Sequence, residues 1–553
     1  MLCKPVSWLT TLSISLFISS NCTSPESLGK LDGAVKADRI RVHLQTLSAD
    51  IMEGRAPGTS GGERAASYIA AQLKEAGLMP AVGDTSYFQN VTLRGVTHTP
   101  SLTIRGVNRT WRLAPGTQFV GVTQIESVET AIRNAEVLFM GYGIEAPEYS
   151  WNDYGAVDVS NKVLLMLVNE PSSPDSSFFD GAALTYYGRW SYKYEEAGRK
   201  GAAGVILIHT TSMAGYGWNV IQNSRSKEQI YLRQPHENLC AFEGWITQEV
   251  ASELLSAHGF NLDEWIAGAN SPDFKPVALP FKVSAAITNS TRLIDSPNVI
   301  AKIEGSDPVL KNECILFTSH YDHLGMNSLL PDDGIFNGAF DNASGTATLI
   351  EIARELAQLP VRLNRTMLFA AVTGEESGLL GSQYYAQNPV FPLVKTAANI
   401  NIDGVNVWGA TRDIVARGAQ RSTIGMAVEK VAREMRLTVA PDPMPEQGLF
   451  FRSDQLSLVK VGVPAVFVTA GLSYVGQPEN WGRQMMEEYI RVRYHGVDDE
   501  YDPSWSLEGA AQIGRFVFKL GLELGNAADM PRWHRNDQFE RIRDESLKEI
   551  ARH

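Results

Sequence analysis

Histidine is scarce in this chain, ten among 553 residues, and two of the ten fall where chemistry would need them. His320 closes the apolar run CILFTSH, and Asp322 stands two residues beyond it. Asp341 lies in FDNASG at the start of a helical stretch. Glu375 and Glu376 follow MLFAAVTG, Asp403 ends NINID, and His495 lies in RYHGVDDEYD. Acidic or imidazole groups thus stand at the carboxyl ends of three predicted strands, and in open α/β sheets ligands collect at that edge. Two imidazoles with several carboxylates form a mixed N/O set that suits Zn2+ and, less selectively, Mn2+ or Co2+. Carboxylates massed in a dry crevice repel one another, and a dication removes that penalty. A metal-binding imidazole usually gives its other N–H to a carboxylate, a role open to Asp322. Two dications sharing one carboxylate would polarise a carbonyl and activate a water.

Singly, each motif has an ordinary explanation. HxD is common, DNASG reads as a cap and turn, and GEES as a capped helix start. Together, each at a strand–loop junction, they point to one cluster. HExxH is absent, which excludes the one-helix zinc protease design.

The elements that must carry these residues follow from the hydrophobic pattern. From 297 onward strands alternate with helices. NVIAKIEG, ECILFTSHYDHLG, TMLFAAVTG, TAANINIDGV and VPAVFVTAG read as strands. ASGTATLIEIARELAQL, ESGLLGSQYYAQ, IGMAVEKVAREM and EGAAQIGRFVFKLGLELGN read as helices. That is an α/β fold, a mixed central sheet flanked by helices. Residues 36–79 read as helices around a Gly- and Pro-rich fixed loop, MEGRAPGTSGG, with Ala65, Ile69 and Leu73 at helical spacing and Gly77 as a stop. They need the same sheet as partner. Between them, AEVLFMGYGI, KVLLMLVNEP, AAGVILIHT and FKPVALPFKVS read as strands and KYEEAGRKG as a helix. Residues 131–292 are therefore expected to be an inserted β-rich domain, without a catalytic cluster of its own, in a catalytic domain made of 25–130 and 293–553.

Composition sets the outer bounds. At roughly 150 residues per domain the length allows three or four domain-sized units, or two with one large. Hydrophobic residues at 44% and charged residues at 20% allow a sizeable core. A net charge of −13 disfavours nonspecific contact with nucleic acid or anionic membrane. Lys4 followed by the short apolar stretch VSWLTTLSISLFISS reads as a secretory signal over 1–24, too short to span a membrane. The chain is then exported, whether periplasmic, secreted or lipid-anchored. Cys22 is a candidate lipidated residue giving an outer-membrane anchor, though Asn21 before it makes a weak lipobox. Cys240 and Cys314, each in an apolar run, are expected to be free buried thiols.

The stretches SHYDHLG (319–325), FDNASGTA (340–347), TGEESGLLGS (373–382), NIDGV (401–405) and YHGVDDEYD (494–502) resemble the co-catalytic two-zinc aminopeptidase family, which also holds glutamate carboxypeptidases and the catalytically dead transferrin receptor. Their order and their separations of 21, 35, 27 and 92 residues match it closely, ADIMEGRAPGTSGGERAASYIAAQLKEAGL (49–78) resembles the start of its catalytic domain, and GRWSYKYEEAGRKGAAGVILIH (188–209) resembles the protease-associated domain often inserted there. The resemblance implies a zinc exopeptidase fold with two Zn2+ per chain, or Mn2+ or Co2+. It implies that Asp341 bridges both metals, His320 and Asp403 complete one site, and Glu376 and His495 complete the other. Glu375 would be general base and Asp322 would support His320. No ligand is substituted, which argues against a dead member. Asp454, in FRSDQLSLVKVGVPAVF, would support substrate binding, and Gln455 stands where many relatives have histidine.

The implied activity is an aminopeptidase acting on short peptides, with the inserted domain roofing the cleft. Rival readings are a carboxypeptidase or dipeptidase, which needs a cation to hold a substrate carboxylate, a glutaminyl cyclase, which normally uses one zinc, and an exported binding protein without turnover. The sequence does not specify the oligomeric state.

Overall fold

The strand Cys314–His320 lies at the centre of the site-bearing sheet and is buried along its whole length. Thr366–Val372 and Thr396–Asn401 flank it in parallel, and both are buried throughout. Continuous apolar runs without polar alternation are what a sheet covered on both faces requires. Beyond Thr396–Asn401 the sheet continues with Ala465–Ala470 in parallel, Asp413–Arg417 antiparallel and Thr438–Val439 at the edge. On its other side Thr366–Val372 pairs antiparallel with the end of Val277–Ile303.

In this computed structural model the described residues are 33–550, apart from 172–174, 176–177, 182, 234–237, 329 and 331. The expected signal over 1–24, with Cys22, lies outside them. From Val35 onward the chain forms one unit, Val35–His553.

Alternate side chains of the central strands point to opposite faces. Phe317 and Phe369 stack with centroids 4.8 Å apart on the face covered by the helix Glu508–Asn526, whose Gly521 lies against the Phe317 ring. A Cβ at Gly521 would come within 2.8 Å of Phe317, so the close approach of helix and sheet needs glycine there. That helix packs with Ser344–Ala357 and Ala37–Leu47. Leu316 and Leu368 face the other way, into a cluster with Tyr385 and Leu458 from the helices Leu380–Gln387 and Gln455–Val459. Both expected thiols, Cys240 and Cys314, are buried and free.

The N-terminal helices form as their spacing predicts, over Ala37–Leu47 and Ser60–Glu75. Thr59 caps the second, accepting from the Gly62 amide, and Ala65, Ile69 and Leu73 are buried on one stripe. Between them the Gly- and Pro-rich loop contains a short helical turn, Asp50–Arg55, with Glu53 and Gly54 in left-handed conformation. The loop is fixed by Arg55. Its side chain, fully buried, donates to the carbonyls of Tyr321, Leu47, Asn337 and Gly338 at 2.6–2.9 Å.

The β-rich part departs from the expected plan in one respect. FKPVALPFKVS and NVIAKIEG, read as two strands, belong to one strand, Val277–Ile303. The residues joining them, AAITNSTRLIDSP, carry the Asn, Ser, Asp and Pro of a turn, but they pair residue by residue with Phe88–Arg105, from Lys282 opposite Arg105 to Val299 opposite Phe88. Tertiary pairing overrides the local turn signal. The early half of the same strand pairs with Glu129–Phe139, which continues in parallel through Val163–Leu167, Gly204–His209 and Phe242–Thr247. The two halves of the molecule thus share one sheet path, and positions 131 and 292 both fall inside strands. Among the described residues no helix is long and apolar enough to cross a membrane.

Replacing Arg55 by methionine leaves four buried carbonyls without their donor. Chemical denaturation is expected to register a loss of about 3 kcal/mol. A loss below about 1 kcal/mol would contradict the role given to Arg55 as the fastener of this loop.

Candidate metal centre

Three loops at the carboxyl ends of the central strands bring the predicted side chains together. His320 is the last residue of its strand, and Asp403 follows Thr396–Asn401 by two residues. Glu375 and Glu376 follow Thr366–Val372 by three and four. Asp341 sits in the irregular turn Ala339–Ala343 that feeds the helix Ser344–Ala357. Asn342 joins the His320 and Asp403 loops to the turn that carries Asp341. Its amide donates to Ser319 Oγ, His320 O and Ile402 O, and its carbonyl accepts from the amides of Gly345 and Gly404. A Cβ at Gly345 would collide with the Asn342 side chain at 2.1 Å, so this packing admits only glycine.

Asp341 lies between the two predicted histidines. Its Oδ1 is 3.2 Å from His320 Nε2, and its Oδ2 is 3.4 Å from His495 Nε2. His320 Nε2 is also 3.3 Å from Asp403 Oδ1, and His495 Nε2 is 3.0 Å from Glu376 Oε2. His320, Asp341 and Asp403 offer ligand atoms within 4.8 Å of one another, as do His323, Asp341 and Glu376, and also His320, Glu375 and Glu376. The five candidate ligands therefore meet, and Glu375 stands with them. His495 is at the open rim, with 38% of its side chain exposed, whereas His320 is 1% exposed. Asp322 arrives differently from its expected role. The Nδ1 of His320 is 3.2 Å from the backbone oxygen of Asp322 and 3.8 Å from its carboxylate. That carboxylate instead accepts from the Glu375 amide at 3.1 Å.

The electrostatics call for positive charge at this point. Burial alone would lower His320, but the charges of Asp403 and Glu375 and the bonds to Asp341 and Asp403 hold it well above the ordinary imidazole range. Burial likewise opposes, and Glu376 and Asp341 outweigh it, at His495. Burial would raise Asp341 and Glu376, yet the histidines pull Asp341 well below the usual carboxylate range and Glu376 down to about 2. Glu375 goes the other way. Burial, then Glu376, Asp403 and Asp454 against the pull of His320, push it well above its ordinary value. Without a metal, the imidazolium charges supply the countercharge that the carboxylates need. The N/O donor set, with one carboxylate presenting an oxygen to each side, fits a pair of dications.

Several contributors lay outside the sequence reading. His323, in the same SHYDHLG stretch, has Nδ1 2.6 Å from Glu376 Oε1, and its ring lies 5.8 Å from that of His495. Its place three residues after His320 was the available signal. Asp499 accepts from the amides of Phe340 and Asp341 at 3.0 Å and so fixes the turn that carries Asp341. It stands four residues after His495, in the acidic run VDDEYD. Ser453 Oγ donates to Asp403 Oδ2 at 2.6 Å. Asp454, expected near substrate, is fully buried, and Gln455 is turned inward to donate to Phe450 O at 2.6 Å. The charge of Asp454 is among those that raise Glu375.

Residues 298–520 match the model of Peptidase family M28. The matched segment contains every candidate ligand. Among curated proteins, a probable zinc metalloprotease of Pyrenophora tritici-repentis is 32% identical over 328 residues, 53% of this chain and 62% of the relative. Another, of Leptosphaeria maculans, is 39% identical over 261 residues, 42% of this chain and 58% of the relative. The chain spans about half the length of the curated relatives it matches. Among solved structures, an aminopeptidase from Aneurinibacillus sp. strain AM-1 is 17% identical with a TM-score of 0.49, covering 91% of this chain and 97% of that one. A zinc aminopeptidase from Bacillus subtilis is 17% identical with a TM-score of 0.42, covering 89% and 96%.

A dication requires neutral imidazole, so it must displace the protons that His320 and His495 hold in the metal-free chain. Both rings are held above the ordinary range, so adding Zn2+ at neutral pH is expected to release protons, and affinity is expected to rise with pH. Calorimetry in two buffers of different ionisation enthalpy measures the release. Binding without proton release would contradict this electrostatic picture.

Proposed function

We propose that the chain is a two-metal exopeptidase, an aminopeptidase that releases N-terminal residues from short peptides. The observation that carries this reading is Asp341, with one carboxylate oxygen against His320 and the other against His495. In this reading Asp341, His320 and Asp403 would hold one dication, and Asp341, Glu376 and His495 would hold the other. Zinc fits the donors, and Mn2+ or Co2+ are the next candidates. Bound there, the pair would supply Lewis-acid polarisation of the scissile carbonyl and acidification of a water.

The chain's own residues do the remaining work. Glu375 is the general base, taking the proton from the attacking water and giving it to the leaving amine. Its carboxyl has the burial and acidic neighbours that favour proton uptake. Asp322 holds the Glu375 backbone and carries His320. His323 orients Glu376 through its ring nitrogen. A free α-amino group of the substrate would sit against a metal or an acidic residue, which favours cleavage at the N-terminus.

We also read 131–292 as an inserted domain of the protease-associated type that roofs the cleft and admits short peptides. Contacts between 180–195 and 421–460 support a roof. Lys460 pairs with Glu195 at 2.9 Å, Arg421 pairs with Asp180 at 3.2 Å, and the rings of Tyr186 and Phe451 are 6.3 Å apart. Export by the N-terminal signal, with Cys22 as a lipid anchor, completes the reading.

Glu375→Gln is expected to bind two metals while kcat falls by about 10²–10⁴. Near-normal turnover by the folded, metal-loaded variant would remove Glu375 as base. Matched peptides with free and acetylated N-termini separate the end specificities. Cleavage of the free-amine peptide alone is expected, and equal cleavage of both would exclude an aminopeptidase.

A further inference from the structure

Glu376 is shared between two imidazoles in the same way as Asp341. Its Oε2 is 3.0 Å from His495 Nε2, and its Oε1 is 2.6 Å from His323 Nδ1. The two rings stand 5.8 Å apart at an interplanar angle of 69°. The position assigned to the second dication therefore has two histidines beside it, one from the rim and one from the interior.

The two are held differently. His495 has 38% of its side chain exposed and sits on left-handed backbone, with φ 56°. Its ring stacks on Tyr494 with centroids 3.9 Å apart. Its polar contacts run through Nε2, and Nδ1 has none among the described residues. A metal-binding imidazole is usually steadied by an acceptor at its other nitrogen. His323, by contrast, is 1% exposed. Its ring fills a slot that Gly338 leaves open, since a Cβ there would come within 2.5 Å of it. Arg55 fixes that slot through the carbonyls of Tyr321 and Gly338.

A donor set already surrounds the interior ring. His323, Asp341 and Glu376 present ligand atoms within 4.8 Å of one another. Tetrahedral zinc holds its donors roughly 3.4 Å apart, a difference that side-chain adjustment supplies. Nε2 of His323 is buried without a hydrogen bond. The ring thus carries one unpartnered nitrogen in either tautomer. Moving its proton from Nδ1 to Nε2 frees Nδ1 for a metal without orphaning a further group.

We propose that His323 is a reserve ligand of the second dication. When His495 swings out with its exposed segment, Nδ1 of His323 takes its place, while Asp341 and Glu376 keep their oxygens on the ion. The rim can then open to a peptide without loss of metal. This rests on the two-metal exopeptidase reading and adds a ligand to it. In the closed centre His323 keeps its hydrogen bond to Glu376.

Equilibrium dialysis against Zn2+ counts the ions held by the parent protein, by His495→Ala, by His323→Phe and by the double variant. Two ions are expected in the parent and in each single variant, and one in the double variant. The second ion of His495→Ala is expected to bind about 10–100-fold more weakly than in the parent. One ion in His495→Ala beside two in the parent would overturn the reserve ligand and leave the two-metal reading intact. Two ions in the double variant would overturn it as well, since the second ion would then need neither ring. One ion in the parent would end the two-metal reading and the proposal with it. Crystals of zinc-loaded His495→Ala supply a test that leaves the interior unaltered. Its second anomalous peak is expected about 2.0–2.1 Å from His323 Nδ1. A second peak held by Asp341 and Glu376, with His323 still hydrogen-bonded to Glu376, would overturn the proposal.

Discussion

A single carboxylate, Asp341, shared between two imidazoles is the constraint on which the site depends. Its two oxygens point to opposite sides, and each side needs its own histidine and its own acid. Such an arrangement is costly in a buried place. Four carboxylates within a few ångströms repel, and holding them requires a scaffold that does not relax. The scaffold here is made of backbone as much as side chains. Asp499 grips the amides of Phe340 and Asp341, while Asn342 ties its own turn to the ends of the strands Cys314–His320 and Thr396–Asn401. Arg55 fastens a distant loop to the same place through four carbonyls.

That division explains what could be read in the sequence. Residues carrying the chemistry stand at the ends of buried apolar strands, where a change from apolar run to acid or histidine is visible. His320, Glu375, Glu376 and Asp403 were legible for that reason, and the family resemblance carried by FDNASG and RYHGVDDEYD added Asp341 and His495. The residues that position them were less visible. Arg55 sits in a Gly- and Pro-rich loop whose fixed character was apparent, but nothing local tells that its guanidinium reaches Tyr321 and Gly338. His323 and Asp499 lie inside quoted motifs, yet their hydrogen bonds depend on how loops cross. The inward turn of Asp454 and Gln455 likewise depends on the packing of the helix Gln455–Val459 rather than on any local pattern.

The fold shows the same split. Strand–helix alternation after 297 produced the sheet that the pattern implies, because those strands are buried on both faces. The strand Val277–Ile303 escaped, because its middle pairs with Phe88–Arg105, some 190 residues away in sequence, and carries polar residues on an exposed face. One long strand therefore couples the region between the N-terminal helices and the metal-bearing sheet to that sheet itself. Motion of that region as a separate body would have to bend a continuous β-ladder.

The most direct test of the shared carboxylate is anomalous diffraction at the zinc edge from crystals of the metal-loaded protein. Two peaks are predicted, one among His320, Asp341 and Asp403 and the other among Glu376, Asp341 and His495. A single peak at full zinc saturation, or two peaks of which only one touches Asp341, would contradict a two-metal centre built on that residue.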